Sequence, residues 1–158
     1  MNRRYCCLFV VLFWAVLIQA AAAERTYNIL FIQSYTSQTP WHSDLNQGLV
    51  KGFKESGLKV NITTEYLDAD FWAFNSEKVI MRRFCQRARD RQTDLIITAS
   101  DEAFYTLFAC GDSLPLQIPV VFFGIKYPDM ELIATHPNVC GFTACLLYTS
   151  PSPRDRSL

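Results

Sequence analysis

Hydroxyl and aromatic side chains follow the first apolar run of this sequence, and these residue types can bind a polar small molecule. Ser34 and Tyr35 come directly after the run that ends at Gln33, and Trp41 closes the loop that follows. An aromatic ring near the end of a strand can stack on a sugar or another planar ligand. The same side chains also suit ordinary loop packing, so two interpretations of this loop stay open: a ligand cleft or a packed turn.

A second polar group, Ser100, Asp101 and Glu102, follows the apolar run around residues 94–98. With the backbone N–H groups of a helix N-terminus, these side chains could present hydroxyl and carboxylate groups to a polar ligand. Helix capping by Ser100, with two acids in the first turn, accounts for the same residues without a ligand. Gly124 follows a further apolar run, where it permits either close backbone approach to a ligand or a turn.

The sequence lacks the motifs of catalysis and of cofactor binding. Ser100, His42 and Asp101 supply the residue types of a hydrolytic triad, but no G-x-S-x-G motif surrounds the serine. No G-x-G-x-x-G motif or P-loop follows a predicted strand, and His42, Asp44 and His136 lack the spacing of a metal site. The 15 basic and 15 acidic residues give no basic excess for nucleic-acid binding. We therefore predict a non-enzymatic protein with no catalytic residues, cofactor, metal or nucleic-acid partner.

Apolar periodicity predicts alternating strands and helices. Near-continuous apolar runs predict buried strands, and one alternating segment predicts an edge strand with a wet face. The predicted strands are 27–33, 59–67, 94–98, 119–123 and 139–142, and the predicted helices are 43–57, 75–91 and 100–110. This order is typical of a doubly wound parallel α/β sheet with right-handed crossovers. Ligands in such sheets bind outside the carboxyl ends of the strands, near the point where the strand order reverses. Both polar groups and Gly124 follow predicted strands, so we expect them at that edge.

The first two predicted helices each carry an apolar stripe that we expect to pack on the sheet. The stripes are Leu45, Leu49, Val50 and Phe53 in the first helix, which Ser43 is expected to cap, and Val79, Ile80, Phe84 and Ala88 in the second. Gly48 and Gly52 lie one turn apart, and we expect them to allow close packing on the sheet.

The N-terminus has the features of a secretory signal peptide. Arg3 and Arg4 precede a long apolar run, and small residues at Ala21 and Ala23 fit the rule for signal peptidase cleavage. We interpret residues 1–23 as a signal peptide, with an uncleaved membrane anchor as the alternative. Either one places the chain in the periplasm or on the extracytoplasmic face of the inner membrane.

The cysteines that follow the signal segment are widely spaced and form no C-x-x-C motif. They are Cys85, Cys110, Cys140 and Cys145. We interpret them as buried free thiols, although an exported location would allow one disulfide.

Four segments in order, NILFIQSYTSQTPW, ITTEYLDADFW, DLIITASDEAFYTL and IPVVFFGI, carry a resemblance to a known family. They resemble the ABC-type substrate-binding family, which adopts the type I periplasmic-binding fold. Within it they are most similar to the extracellular sensor domain of Bacteroidetes-type hybrid histidine kinases. The resemblance covers residues 26–143 and implies the N-terminal, Rossmann-like lobe of a two-lobed clamp, with the chain truncated to that first lobe. Residues 145–158 resemble translated sequencing adapter, and we interpret them as a non-native tail, with a Ser/Pro-rich linker as the alternative.

The resemblance also implies a function. Two lobes would close on a small molecule, and the hinge motion would pass through the membrane to a histidine kinase. The expected partners are an unidentified small-molecule ligand, the missing second lobe of the same chain, and the membrane through the N-terminal segment. A free solute-binding protein of an ABC importer is the alternative, and an exported hydrolase is a remote one.

Overall fold

The computed structural model describes residues 25–36, 40–71 and 73–144, with the side chains of residues 40–42 and 74 outside the description. The strands are β1 (Tyr27–Gln33), β2 (Val60–Tyr66), β3 (Leu95–Ala99), β4 (Val120–Ile125) and β5 (Val139–Thr143). The helices are α1 (Pro40–Ser56), α2 (Phe74–Asp90), α3 (Asp101–Ala109) and α4 (Met130–Thr135), and a 3₁₀ turn spans Leu114–Leu116. The predicted signal peptide (1–23) and the predicted non-native tail (145–158) lie outside the described residues.

The strands form one sheet in the order β2-β1-β3-β4-β5, and every neighbouring pair is parallel. The chain steps from β1 to β2 in one direction and then crosses back to build β3, β4 and β5 on the other side of β1. The order therefore reverses between β1 and β3, as in doubly wound folds. These observations confirm the predicted α/β class, the Rossmann-like lobe, and the position of β2 at an edge.

Each face of the sheet carries its own hydrophobic core. On one face, α2 and α3 bury a large cluster in which Phe104 and Met81 are fully inaccessible. On the other face, Phe31 and its neighbours pack against α1 through Leu45, Leu49 and Phe53. A buried aromatic or aliphatic side chain of this size contributes about 1.5–3 kcal/mol relative to an exposed one. Burial on both faces explains why β1 and β3 read as continuous apolar runs.

The α1 face is less covered toward β4 and β5. Val121 and Phe123 are half-buried there, and their partners on β5 are Cys140 and Phe142. Phe142 is 75% exposed, although it lies on a sheet surface. Within the described residues, α1 alone packs on this face, so the half nearest β5 presents apolar side chains to solvent.

Three expectations about the helices were wrong. α1 begins at Pro40, so Ser43 lies inside the helix and does not cap it. Val50 and Val79 are 57% and 43% exposed, so neither belongs to the buried stripe of its helix. A Cβ added at Gly48 or Gly52 would meet nothing within 4 Å, so these glycines do not mediate close packing on the sheet.

The boundaries after α3 also differ from the expectation. The short helix α4 and the 3₁₀ turn were not predicted. β4 continues past the predicted end at residue 123, because a register irregularity between Phe123 and Ile125 lets the strand pair with β5 on both sides of Gly124.

Candidate ligand-binding site

Most of the predicted site residues with described side chains follow the ends of β1 and β3, and Gly124 is the second-last residue of β4. Gln33, the last residue of β1, pairs with Ala99, the last residue of β3, so the loops after them leave the same edge of the sheet. The backbone N–H of Ser100 donates to the carbonyl oxygen of Phe123 on β4 at 3.0 Å. The edge where the strand order reverses therefore brings together the loops after β1, β3 and β4, as the topology predicted.

Ser34 is fully buried, and its hydroxyl joins β1 to the start of α3. Its Oγ donates to the carbonyl oxygen of Ala99 at 2.8 Å and accepts from the backbone N–H of Ala103 at 2.9 Å. The N–H of Ala103 lies in the first helical turn, where no intrahelical acceptor exists. Ser34 therefore caps α3 from a different strand, and its hydroxyl is committed to the fold.

Ser100 precedes α3 but does not cap it as predicted, because its side chain makes no capping hydrogen bond. Its backbone has φ 73° and ψ 173°. This region is essentially restricted to glycine, and occupying it costs a non-glycine residue about 1–3 kcal/mol. A non-glycine residue held in this conformation indicates that the surrounding contacts fix the direction in which α3 leaves β3.

Asp101 holds the loop after β4. Its carboxylate accepts hydrogen bonds from the backbone N–H of Lys126, at 3.1 and 3.2 Å, and from that of Tyr127, at 3.3 Å. Gly124 has φ 75°, a left-handed conformation that disfavours other residues, and it lies at the register irregularity of β4. The carboxylate of Asp101 thus holds the loop after β4, whereas Gly124 lies at an irregularity inside β4 and not in the turn that was one of its two interpretations.

Tyr35 and Glu102 form the polar centre of this edge. The Tyr35 hydroxyl hydrogen-bonds the Glu102 carboxylate. Burial, that hydrogen bond and the negative charges of Glu102, Asp70 and Asp101 raise the pKa of Tyr35 well above its ordinary value. The phenol therefore stays protonated and acts as a donor at neutral pH.

Glu77 of α2 extends this centre, although the sequence gave no signal for it. Its side chain is buried, with 6% relative exposure, and its Oε2 accepts a hydrogen bond from Thr106 Oγ1 at 3.3 Å. Burial raises the pKa of Glu77, the Thr106 hydrogen bond opposes that shift, and the charge of Glu102 adds to it. Glu77, Glu102 and Tyr35 thus form one electrostatically linked acidic group between α2 and α3.

A separate amide network lies on the α1 side of the same edge. Gln33 is fully buried, and its Nε2 donates to Asn46 Oδ1 at 3.0 Å. Asn46 Nδ2 in turn approaches the Tyr66 hydroxyl at 3.4 Å. These residues were not predicted from the sequence, although the polar Gln33 at the end of an apolar strand indicates such a site.

Three buried side-chain oxygens have no hydrogen-bond partner in the described part of the protein: Gln33 Oε1, Thr98 Oγ1 and Glu102 Oε2. All three belong to the ends of β1 and β3 or to the first turn of α3. An unsatisfied buried acceptor costs about 1–3 kcal/mol, and native folds retain few of them. Among the described residues, the buried side-chain oxygens without a hydrogen-bond partner therefore all lie near this edge of the sheet.

The remaining predicted site residue, Trp41, lies in the first turn of α1, and its side chain is outside the described part of the chain. No group of three or more His, Cys, Asp or Glu side chains among the described residues is arranged to hold a metal ion. None of the helices in residues 25–36, 40–71 and 73–144 has the length and hydropathy needed to cross a membrane.

Open grooves occur at the opposite end of the sheet. One of about 590 Å³ is lined by Val50, Phe53 and Leu58 among others, and another of about 380 Å³ extends to Tyr27 and Pro119. Both lie beside the amino ends of β1 and β2 and are mostly apolar. Binding sites combine a concave surface with convergent polar groups, so we place the candidate site at the carboxyl edge instead.

Solved structures share this fold at low sequence identity. The ligand-free, open structure of CD0873, a substrate binding protein with adhesive properties from Clostridium difficile, is 16% identical, with a TM-score of 0.51. The match covers 73% of this chain and 38% of that chain. A conserved domain protein from Vibrio cholerae is also 16% identical, with a TM-score of 0.57, and the match covers 75% of this chain and 39% of that one.

This chain therefore spans about two fifths of the length of these structures, and the likeness concerns the fold. No protein-family model matches the chain, and no curated protein matches it.

Proposed function

We propose that this chain forms the first lobe of an extracytoplasmic domain that binds a small molecule at the carboxyl edge of β1 and β3. The concentration of unpartnered buried oxygens at that edge carries the proposal. Doubly wound sheets bind ligands where the strand order reverses, and here that point lies between β1 and β3. The fold likeness to a substrate binding protein, of which this chain covers 38%, supports the idea of a first lobe.

The chemistry of the edge favours a ligand rich in hydrogen-bond donors. Gln33 Oε1 is an amide oxygen and therefore an acceptor. When Glu102 is ionised, its Oε2 is also an acceptor and cannot donate. Asp70, Asp101 and Glu102 all place negative charge near Tyr35. An ammonium, amide or polyhydroxyl group would match these acceptors, whereas an anionic group would be repelled. Tyr35 adds an aromatic ring for contact with the ligand body.

A thermal-shift screen of the two-lobed parent protein, prepared from its source gene, tests this proposal. A ligand at 100 times its Kd stabilises a protein by about 2.7 kcal/mol. For a domain of about 150–250 residues this corresponds to a Tm increase of roughly 5–10 °C. We expect such shifts from amines, amides or sugars and not from carboxylates or phosphates.

Matched variants separate this site from other binding surfaces. Glu102→Gln removes the charge at the centre of the edge, and we expect it to weaken binding of a cationic hit by at least about tenfold. Glu55→Gln removes an exposed charge on α1 that pairs with Lys51 and lies away from the edge, so we expect no change. Equal effects of both variants, or hits confined to anions, would refute the proposed site.

We further propose that the parent protein is a membrane histidine kinase and that this domain is its sensor. The resemblance of the strand-end segments to such sensors supports this assignment, and a free solute-binding protein of an ABC importer is the second candidate. Sequencing the source gene distinguishes them. A transmembrane helix and kinase core after the second lobe would support the sensor, whereas a stop codon after that lobe would support the importer component.

We also propose that the domain binds its ligand without converting it. Asp101, the acid of the Ser100, His42 and Asp101 combination, accepts hydrogen bonds from the backbone of Lys126 and Tyr127, which supports a structural role for it. Incubating each thermal-shift hit with the purified parent protein and analysing it by mass spectrometry tests this point. A time-dependent product that disappears with Ser100→Ala would establish the hydrolase alternative instead.

A further inference from the structure

Two cysteines that are distant in sequence face each other where α2 packs on the end of α3. Arg82 Nη1 donates to the carbonyl oxygen of Cys110 at 3.0 Å, and the Arg89 guanidinium pairs with Asp112, with Nη1 to Oδ2 at 3.0 Å. Cys85 lies between these arginines at helical spacing, so all three residues share one face of α2. Contacts on both sides thus hold Cys85 against Cys110, the residue that follows α3.

The two thiols are shielded from solvent in one core and are close enough for each to shift the pKa of the other. Cys85 is 0% and Cys110 is 2% exposed. Cys110 Sγ also lies 3.1 Å from the carbonyl oxygen of Leu107. Both side chains belong to the core cluster of the α2 and α3 face, so neither is an isolated surface cysteine.

We propose that Cys85 and Cys110 form an intramolecular disulfide that fastens α2 to the end of α3. In the structure Cys85 and Cys110 are free and buried, as the sequence predicted, so the bridge is a state that oxidation would add. The bond closes a loop of about 25 residues that includes β3 and α3. Formation shortens the sulfur–sulfur separation to about 2.05 Å, so the end of α3 moves slightly toward α2.

Thiol–disulfide exchange with an external disulfide supplies the oxidation. The Cys110 thiolate attacks one sulfur of the donor, which releases one donor thiolate and leaves a mixed disulfide. The Cys85 thiolate then attacks Cys110 Sγ and releases the second donor thiolate. Two protein thiols lose two electrons and two protons in total, and one donor disulfide becomes two thiols.

The exchange balances in either order, so Cys85 can equally make the first attack on the donor disulfide. Because both side chains are buried once the core has formed, exchange takes place while the chain folds.

Refolding in a glutathione redox buffer tests the bridge independently of ligand binding and of cellular location. The full chain is unfolded, refolded with reduced and oxidised glutathione, alkylated without reduction, and digested with trypsin. Cleavage after the flanking basic residues leaves Cys85 in the peptide 84–87 and Cys110 in the peptide 92–126, each as its sole cysteine. We expect a disulfide-linked pair of these two peptides in mass spectrometry.

Two variants serve as controls for the linked peptide pair and for the effect of reduction on the Tm. Cys140→Ser removes an exposed free thiol and should leave the linked pair unchanged. Dithiothreitol should lower the Tm of the wild type by roughly 10 °C, the scale of a bridge that closes a loop of this length. It should not change the Tm of the double variant Cys85→Ala, Cys110→Ala. Alkylation of both cysteines in the refolded wild type, a glutathione adduct on Cys110 alone, or pairing of either with Cys140 would overturn the proposal.

Discussion

Replacing Ser34 with alanine tests whether this serine, rather than Ser100, caps α3. The substitution removes both hydrogen bonds of a buried hydroxyl, one donated to the Ala99 carbonyl oxygen and one accepted from the Ala103 N–H. The Ala99 carbonyl keeps a bond from the Ser34 backbone N–H at 3.3 Å. The N–H of Ala103, which is fully buried, keeps no capping partner.

The magnitude follows from those two bonds. Loss of a capping side chain costs about 1 kcal/mol, within a range of about 0.5–2. Loss of a second buried hydrogen bond costs about 0.5–1.5 kcal/mol. We therefore expect Ser34→Ala to lower the free energy of unfolding by about 2 kcal/mol. At about 4 °C per kcal/mol for a domain of this size, the Tm should fall by roughly 8 °C.

Urea unfolding of Ser34→Ala, Ser100→Ala and Ser100→Gly provides the comparison. Ser100→Ala removes a hydroxyl that makes no capping bond, so we expect a change within about 0.5 kcal/mol. Ser100→Gly relieves the backbone at φ 73°, and we expect it to stabilise the fold by about 1 kcal/mol. If Ser100→Ala is as destabilising as Ser34→Ala, the assignment of the cap to β1 is wrong.

Three further predictions concern two glycines and one buried glutamate. A Cβ at Gly141 would lie 2.8 Å from the Phe122 carbonyl carbon, so Gly141→Ala should cost about 3 kcal/mol or more in urea unfolding. Gly52→Ala, at a helical position with open space around it, should instead stabilise by about 0.5–1 kcal/mol. The pKa of Glu77 is raised in the folded state, so its protonated form stabilises the fold. This stabilisation is fully present below about pH 4.3, the pKa of an unfolded glutamate, and is lost as pH rises through the pKa of Glu77 in the folded state. Glu77→Gln should therefore raise the urea midpoint at pH 7 and flatten its pH dependence, and a variant less stable than the wild type at pH 7 would contradict this.

The strands were predictable because burial on both faces leaves a simple pattern. β1 and β3 are covered by α1 on one side and by α2 and α3 on the other, so nearly every side chain in them is apolar. α4 was not predictable in the same way, because it is six residues long and has no fully buried residue. Its start depends on Asp129, whose carboxylate accepts from two backbone N–H groups, and one aspartate in a loop is a weak signal by itself.

The location of the candidate residues at one edge of the sheet was predictable, but the contacts of each residue were not. Topology alone indicated the edge where β1 and β3 end, and the structure places the predicted residues with described side chains at the ends of β1, β3 and β4. The roles depend on contacts between elements that are far apart in sequence. Ser34 reaches across 69 positions to Ala103, and Glu77 meets Thr106 across 29 positions, distances at which local motifs carry no information.

These contacts change which residues are available to a ligand. The hydroxyl of Ser34 and the carboxylate of Asp101 are engaged by the fold, since each holds backbone groups that fix the loops after β3 and β4. Tyr35 and Glu102 lie between those fixed loops, and Glu102 keeps one buried oxygen that no described residue satisfies. The rigid serine and aspartate therefore position the edge, while the tyrosine and glutamate are the groups through which it would contact a ligand. A ligand that depends on Glu102 but tolerates a destabilising change at Ser34 would separate these two roles directly.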